Sequence, residues 1–303
     1  MKEAVLHKLA IQRGILLAAY AVTVAAYVAA IVWVLFDLTV SLWIVNFTTI
    51  FYFCVVRTLD LRYNRAFARI SLEWGCGSQV SELQVLDKGN VTRAELAQYG
   101  LLPTKEDGSG VVCGLSMVGQ SDGMGFRVSE LTSYYNLPAG AAHKIGLLNG
   151  VWLEAELPQD SGLHLALVAA GVIDPVRCPA FYLQQGLHQL PILEEPLQTG
   201  YLLFSDDCGD RASGRFQRQC RQLAAQANKS GSQLLISIHG RRICAFLSRR
   251  SLIRSIPILE SVTEEILEWN PLPELLLLLE LGKYWAKTAP QSLRFSPSAE
   301  NKN

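Results

Sequence analysis

The chain has 303 residues, of which 50% are hydrophobic, and its acidic and basic side chains balance to a formal net charge of +0. A balanced charge argues against a protein that binds polyanions over its whole surface, so we do not expect nucleic acid as a partner. The length allows one large domain, or two small domains, beside a membrane anchor.

The seven cysteines give an odd count, and no two of them form a CxxC pair. This pattern is typical of neither a disulfide framework nor a zinc ribbon. We therefore expect free thiols in a reducing compartment.

Two uncharged stretches occupy the N-terminal region. Residues 14–36 would extend about 34 Å as a helix, and residues 38–56 about 29 Å, close to the thickness of a hydrocarbon core of about 30 Å. Asp37 separates them, and a charge costs about 2.5 to 3.5 kcal/mol at the centre of a span, so we expect Asp37 at a turn in water. Residues 1–57 are thus predicted to form a transmembrane hairpin.

The basic residues around the hairpin predict its orientation. They precede the first span and follow the second, and the turn between the spans has none: Lys2, Lys8, Arg13, Arg57, Arg62, Arg65 and Arg69. The positive-inside rule then places both ends in the cytoplasm. A cleaved signal peptide is disfavoured because the apolar stretch is too long and a second span follows it.

Two polar residues, Asn46 and Thr48, interrupt the second span. Either side chain can form a hydrogen bond with the first helix or with another copy of the chain, and the sequence leaves both alternatives open.

Residues 58–75 continue the helical pattern as a basic stalk. Arg62, Arg65 and Arg69 share one helical face, and an apolar stripe that includes Tyr63 and Phe67 lies on another. Together with Arg57, these arginines are candidates for contact with anionic lipid headgroups. The alternative is that they only enforce the membrane topology.

Residues 76–288 are predicted to form a cytoplasmic domain. A capping box at Thr92–Glu95 begins a short helix, and hairpin strands are expected at 110–118 with 124–131 and at 234–238 with 242–247. Helices are expected at 210–228, 259–269 and 274–286. Strands and helices mix without βαβ regularity, so the fold class is α+β with antiparallel strands. Residues 175–196 are a possible seam between subdomains, and residues 289–303 a disordered tail.

No catalytic, cofactor-binding or metal-binding residue can be assigned from a motif. The glycines near residue 120 lack the spacing of a phosphate-binding loop, and the five histidines lack the spacing of metal ligands. The acidic turn 205–210 fits helix capping better than cation binding.

A second basic group lies on the helix 210–228, where Arg215 and Arg218 are candidate contacts for lipid or for a partner. A solvated helix face is the more ordinary interpretation.

The order of these features resembles DUF3137, a family of bacterial membrane proteins of unknown function. The motifs that carry the resemblance follow the two spans in chain order: Tyr63, Arg65 and Phe67; 99–102; 110–114; 128–131; 149–152; 201–207; and 234–247. The resemblance implies a bacterial inner-membrane protein with a cytoplasmic α+β domain. It implies no catalytic residue.

Three functions remain open at this point. The first is a membrane-anchored interaction or scaffold module with a protein partner or a second copy of itself. The second is a sensor of anionic lipid or another ligand that uses the basic surfaces. The third is an enzyme whose site combines the turn 205–210 with distant histidines. No sequence motif supports this third hypothesis.

Overall fold

The structure is a computed structural model that describes residues 2–76, 80–103, 110–136, 145–173, 178–206, 210–252, 260–268 and 272–288. The helices in these ranges are α1 (Lys2–Trp33), α2 (Leu38–Phe51), α3 (Arg57–Cys76), α4 (Arg93–Tyr99), α5 (Cys178–Leu183), α6 (Glu195–Gln198), α7 (Asp210–Lys229), α8 (Glu264–Glu268) and α9 (Pro273–Thr288). The strands are β1 (Ser81–Leu86), β2 (Val111–Ser121), β3 (Met124–Asn136), β4 (Ile145–Glu156), β5 (His164–Ala169), β6 (His188–Leu190), β7 (Tyr201–Ser205), β8 (Gln233–His239) and β9 (Arg242–Ser248).

The chain divides into two compact units. The first comprises Met1–Asp87 and Ser251–Pro271, and the second comprises Lys88–Arg250 and Leu272–Asn303. The predicted tail 289–303 lies outside the described residues.

A helical hairpin begins the first unit. The turn between α1 and α2 ends at Asp37, whose carboxylate accepts hydrogen bonds from the backbone N–H groups of Thr39 and Val40 at 2.8 and 3.2 Å. This N-cap satisfies two donors that the start of α2 would otherwise leave free, which explains why the helix begins there. The turn therefore lies where the sequence predicted it.

The second helix of the hairpin continues without a break into the predicted stalk. A π-helical segment, Tyr52–Val56, joins α2 to α3. The division between residues 57 and 58 consequently falls within one helical run.

Both long helical runs, Lys2–Trp33 and Leu38–Cys76, are long and apolar enough to cross a membrane. Only 22% and 17% of their respective apolar windows are buried within the protein. Large apolar side chains face outward along both, including Ile31 at 71% and Phe47 at 65% exposure. This exposure is typical of a lipid-facing helix, because a core helix of a soluble protein buries such residues.

Unit 1 has its own core where α1 packs against α3. Leu9, Leu16, Val56, Tyr63 and Phe67 are buried there. The apolar stripe that the sequence assigned to the stalk thus faces α1, and its arginines lie on a different, exposed face of α3.

The second unit is built on an antiparallel sheet with the strand order β2-β3-β4-β9-β8-β5-β7-β6. The β2–β3 hairpin turns at Asp122 and Gly123, both with positive φ, as the Asp-Gly pair predicts. Within the possible seam 175–196, the described residues form α5, β6 and the start of α6. The α+β class and the antiparallel sheet are confirmed.

Helices cover both faces of this sheet. On one face, Tyr99 of α4 stacks on Trp152 of β4 with ring centroids 5.7 Å apart. On the other face, α7 contacts β8 and α9 contacts β4 and β9, and Phe216 meets Trp285 edge to face between the two helices. Strand β4 therefore has a helix packed on each of its faces.

Candidate functional basic groove

A groove of about 470 Å³ lies in the first unit beside the packed segments of α1 and α3. Apolar side chains and one amide form part of its wall: Leu9, Gln12, Ala66 and Ile70. Its charged lining consists of Lys8, Arg62, Arg65, Arg69, Glu73 and Asp87. We call this feature the basic groove, since four cations face two carboxylates.

Most of the positive charge in the basic groove is uncompensated. Arg69 forms an ion pair with Glu73 at 3.0 Å. Among the described residues, Lys8, Arg62 and Arg65 have neither a carboxylate partner nor a hydrogen bond, and all three are exposed. Three unpaired cations around one concavity attract a multiply charged anion, such as a phosphate group.

Gln12 adds an unsatisfied group to the groove. Its amide oxygen is buried and has no hydrogen-bond partner in the described part of the chain. A buried polar atom without a partner costs about 1 to 3 kcal/mol. A water or a ligand hydroxyl that donates a hydrogen bond to this oxygen would remove that cost.

Helix geometry positions these side chains. Arg62, Arg65 and Arg69 fall on one face of α3 because their spacing follows the helical repeat. Tyr63 and Phe67, on a different face of α3, are buried against α1. That packing fixes the rotation of α3, and it brings Lys8 of α1 to the arginines.

The structure unites some of the predicted contact residues and separates others. Arg62, Arg65 and Arg69 line the basic groove. Arg57 does not line it, and its guanidinium lies over the ring of Phe53, 6.0 Å from the centroid. Arg215 and Arg218 lie on the exposed face of α7, in the second unit.

Lys8 and Gln12 were not recognised as groove residues from the sequence. Lys8 was noted only as a cationic flank of the first span. The sequence did contain a signal that could have grouped the two residues, because Lys8 lies four residues before Gln12 and therefore on the same face of α1.

A buried ionic cluster surrounds Glu154 in the second unit. Its carboxylate accepts hydrogen bonds from Arg127 at 2.8 Å, Tyr99 at 3.1 Å and Trp152 at 3.2 Å, and also from Arg242. Since both oxygens are already shared among four donors, no acceptor position is left for a substrate. We interpret this cluster as structural.

The neighbouring carboxylate of Glu95 extends the same network. It accepts from Arg127 at 2.9 Å and from the Thr92 backbone at 2.7 Å. Burial disfavours its charged form, but these hydrogen bonds outweigh that effect, and its pKa is lowered. The Thr92–Glu95 capping box predicted from the sequence is present.

Two histidines and one aspartate of the third hypothesis do come together. The rings of His164 and His239 stack with centroids 4.1 Å apart, and Asp206 accepts a hydrogen bond from the His164 backbone N–H at 2.9 Å. His239 Nδ1 lies 3.0 Å from the carbonyl of Gln98. Burial, together with the charge of His239, lowers the pKa of His164 to about 4.

Within the part of the chain that the structure describes, this histidine pair does not belong to a metal site. Parallel stacked rings direct their nitrogen lone pairs side by side instead of toward one point, and a metal needs about three converging ligands. The described residues contain no cluster of three or more histidine, cysteine or acidic side chains able to hold a metal ion. Residues 207–209 of the predicted acidic turn lie outside those residues.

The described cysteines include buried thiols with raised pKa values. Cys54, Cys113, Cys220 and Cys244 are free. Burial raises the pKa of Cys76 to about 11, and also raises the pKa values of Cys220 and Cys244. These three thiols stay protonated at neutral pH and are poor nucleophiles.

Comparison with known proteins does not assign the chain to a family. No family model matches the chain, and no curated protein matches it. Among solved structures, the chain is similar to the crystal structure of the mycobacterial trehalose monomycolate transport factor A, TtfA, at 9% identity and a TM-score of 0.40, over 75% of this chain and 97% of that chain. So weak a likeness carries no argument about function, and the resemblance to DUF3137 stays a prediction.

Proposed function

We propose that the protein is anchored in the bacterial inner membrane by the two-helix hairpin, with both ends in the cytoplasm, and that its basic groove binds the phosphate of anionic lipid headgroups. The anchor is supported by the length and outward apolar surface of Lys2–Trp33 and Leu38–Cys76. The orientation is supported by basic residues on both outer flanks of the hairpin and none in its turn.

The observation that carries the lipid-binding proposal is that three cations without a partner among the described residues lie together at the ends of both spans. Lys8 lies about 9 Å before Gly14 along α1, and Arg62 lies about 9 Å beyond Val56. The headgroup layer of one leaflet is roughly 5 to 7 Å thick. Long basic side chains bridge the remaining distance, so Lys8 and Arg62 reach the lipid phosphates.

The two ends of the groove then differ in role. Arg65 lies about 13 Å beyond Val56, where a long basic side chain still reaches back toward the lipid phosphates, whereas Arg69 lies about 20 Å beyond Val56, outside the headgroup layer. Arg69 is also paired with Glu73. The membrane-proximal half, with Lys8, Arg62 and Arg65, is therefore the part that binds lipid.

The test uses the full-length chain in mild detergent micelles. Its thermal midpoint is measured with added phosphatidylglycerol, phosphatidylcholine or inorganic phosphate. We expect phosphatidylglycerol to raise the midpoint of the wild-type chain more than phosphatidylcholine does, because a ligand that binds only the folded state stabilises it. A matching effect of inorganic phosphate would indicate a soluble anion as the ligand.

The variant pair Arg62→Gln and Arg65→Gln removes two groove cations, and the control pair Arg215→Gln and Arg218→Gln removes two exposed arginines of α7. At about 1 kcal/mol for each cation near an anionic surface, the groove pair should weaken phosphatidylglycerol binding about 30-fold. The control pair should bind as the wild type does. An equal loss of phosphatidylglycerol binding in both variant pairs would show that only net charge matters. That result would overturn the groove as the binding site.

A protein-docking role is the second candidate, favoured by one patch of the second unit. Val112 of β2 and Leu147 of β4 lie on the same face of the sheet, and each is 57% exposed. Exposed apolar side chains on one sheet face, here with β3 between them, are candidates for a contact site. A photo-crosslinking residue at Leu147 should give a discrete adduct in cells, while one at Arg218 should not; an identical adduct pattern at both positions would count against this role.

A further inference from the structure

Asn46 carries an unusual polar group on the outer surface of the membrane hairpin. It lies near the middle of the second span, and its side chain is exposed. One amide N–H is donated to the Leu42 carbonyl at 3.0 Å. Among the described residues, its other N–H and its amide oxygen have no partner.

Several other polar groups of the hairpin have hydrogen-bond partners within it. The Ser41 hydroxyl donates to the Ala30 carbonyl at 2.7 Å, and the hydroxyls of Tyr27 and Thr49 lie 3.0 Å apart. Thr48 is buried. Of the two residues whose contacts the sequence left open, Thr48 therefore lies within the hairpin, and Asn46 faces away from α1.

The position of Asn46 matters because hydrocarbon offers no hydrogen bonds. Water would satisfy an exposed amide on a soluble helix, but lipid tails cannot, and unsatisfied polar groups at that depth are strongly unfavourable. A partner helix with a donor and an acceptor at the same depth would satisfy both free groups of Asn46.

Asn46 also lies within a stripe suited to helix pairing. Thr39, Trp43, Asn46 and Ile50 follow one another at alternating spacings of four and three residues, the repeat of a coiled-coil seam. All four are exposed, Trp43 at 60% and Ile50 at 59%. A single asparagine in such a seam fixes the register of a pair.

We propose that two copies of this chain pair in the bilayer through this stripe of α2, with hydrogen bonds between their Asn46 amides. The inference rests on the proposed function, since it requires the hairpin to span the membrane. A second copy is the occupant because an amide is self-complementary. Two copies inserted with the same orientation also place Asn46 at the same depth without further adjustment.

The experiment measures energy transfer between donor- and acceptor-labelled full-length chains in phosphatidylcholine vesicles at increasing dilution in lipid. Wild type is compared with Asn46→Leu, with the conservative variant Asn46→Gln, and with Ser41→Ala, which removes a polar group from the buried side of the same helix. Alkaline extraction of each sample reports integration into the membrane.

We expect Asn46→Leu to lower the association constant about 3- to 30-fold, the range measured for interhelical hydrogen bonds in membranes. Asn46→Gln should retain most of the association, and Ser41→Ala should leave it unchanged. Integrated wild-type chains that stay monomeric, or an Asn46→Leu variant that associates as wild type does, would overturn the pairing. Release of the wild-type chain by alkali would instead overturn the membrane anchor itself.

Discussion

The Glu154 cluster provides a sharp test of how the second unit is held together. Glu154 is only 4% exposed, and Arg127, with a side chain 14% exposed, donates to it at 2.8 Å. Arg242 forms a second ion pair with the same carboxylate. Replacing Glu154 with alanine removes the acceptor that these two guanidinium groups share.

The size of the effect follows from this burial. Breaking a buried ion pair by removing one partner costs about 3 to 5 kcal/mol, because the remaining charge is left without compensation. Arg127 keeps Glu95 as a partner, at 2.9 Å, whereas Tyr99 and Trp152 lose their acceptor. Because Arg127 keeps Glu95 and the Arg242 side chain is 39% exposed, we expect Glu154→Ala to lower the free energy of unfolding by the lower end of this range, about 3 kcal/mol.

Glu156 offers a matched control on the same strand. Its side chain is 54% exposed and lies 3.7 Å from Arg241. Exposed ion pairs contribute about 0 to 1 kcal/mol, so Glu156→Ala should change stability by no more than that.

The assay is denaturant unfolding of the full-length chain in detergent, followed by near-UV circular dichroism, which reports the packing around Trp152. Glu154→Ala should shift the unfolding midpoint far more than Glu156→Ala does. Similar small shifts in both variants would refute the structural role assigned to the cluster.

Two further predictions concern the same unit. A Cβ atom at Gly150 would lie 2.0 Å from the Leu247 carbonyl oxygen of the paired strand, so Gly150→Ala should destabilise the sheet by several kcal/mol or prevent folding. The control Gly125→Ala should fold, because a Cβ atom there would have no other atom within 4 Å. Equal yields of folded protein from the two variants would contradict the pairing of β4 with β9. His164 has a pKa of about 4 in the folded chain against 6.5 in the unfolded chain, so the unfolded chain binds more protons as the pH falls below about 6.5, and up to about 3 kcal/mol of stability is lost by pH 4. Between pH 7.5 and pH 5, unfolding measurements should show a loss of about 2 kcal/mol in wild type and a smaller loss in His164→Asn. An unchanged pH dependence in that variant would exclude His164 as the cause.

Features set by neighbouring residues could be predicted from the sequence. Asp37 caps α2 because its carboxylate reaches N–H groups two and three residues later. Asp122 and Gly123 turn the β2–β3 hairpin because they accept positive φ. The shared face of Arg62, Arg65 and Arg69 follows from helical spacing alone.

Features that depend on packing between distant segments could not be predicted. Lys8 joins the arginines only because α1 packs against α3, and the sequence gives no register for that contact. The stacking of His164 and His239 requires β5 to pair with β8. These two strands are far apart in the sequence. The same limit left the orientations of Asn46 and Thr48 open.

The topology of the hairpin tests the proposed membrane anchor most directly. Single cysteines are introduced at Asp37, Lys2 and Arg218 of the full-length chain, and an impermeant maleimide is added to intact or lysed bacterial cells, with the unsubstituted chain as background. Asp37→Cys should be labelled in intact cells, and Lys2→Cys and Arg218→Cys only after lysis. Labelling of Lys2→Cys or Arg218→Cys in intact cells, with Asp37→Cys protected, would contradict the orientation and the cytoplasmic placement of the basic groove.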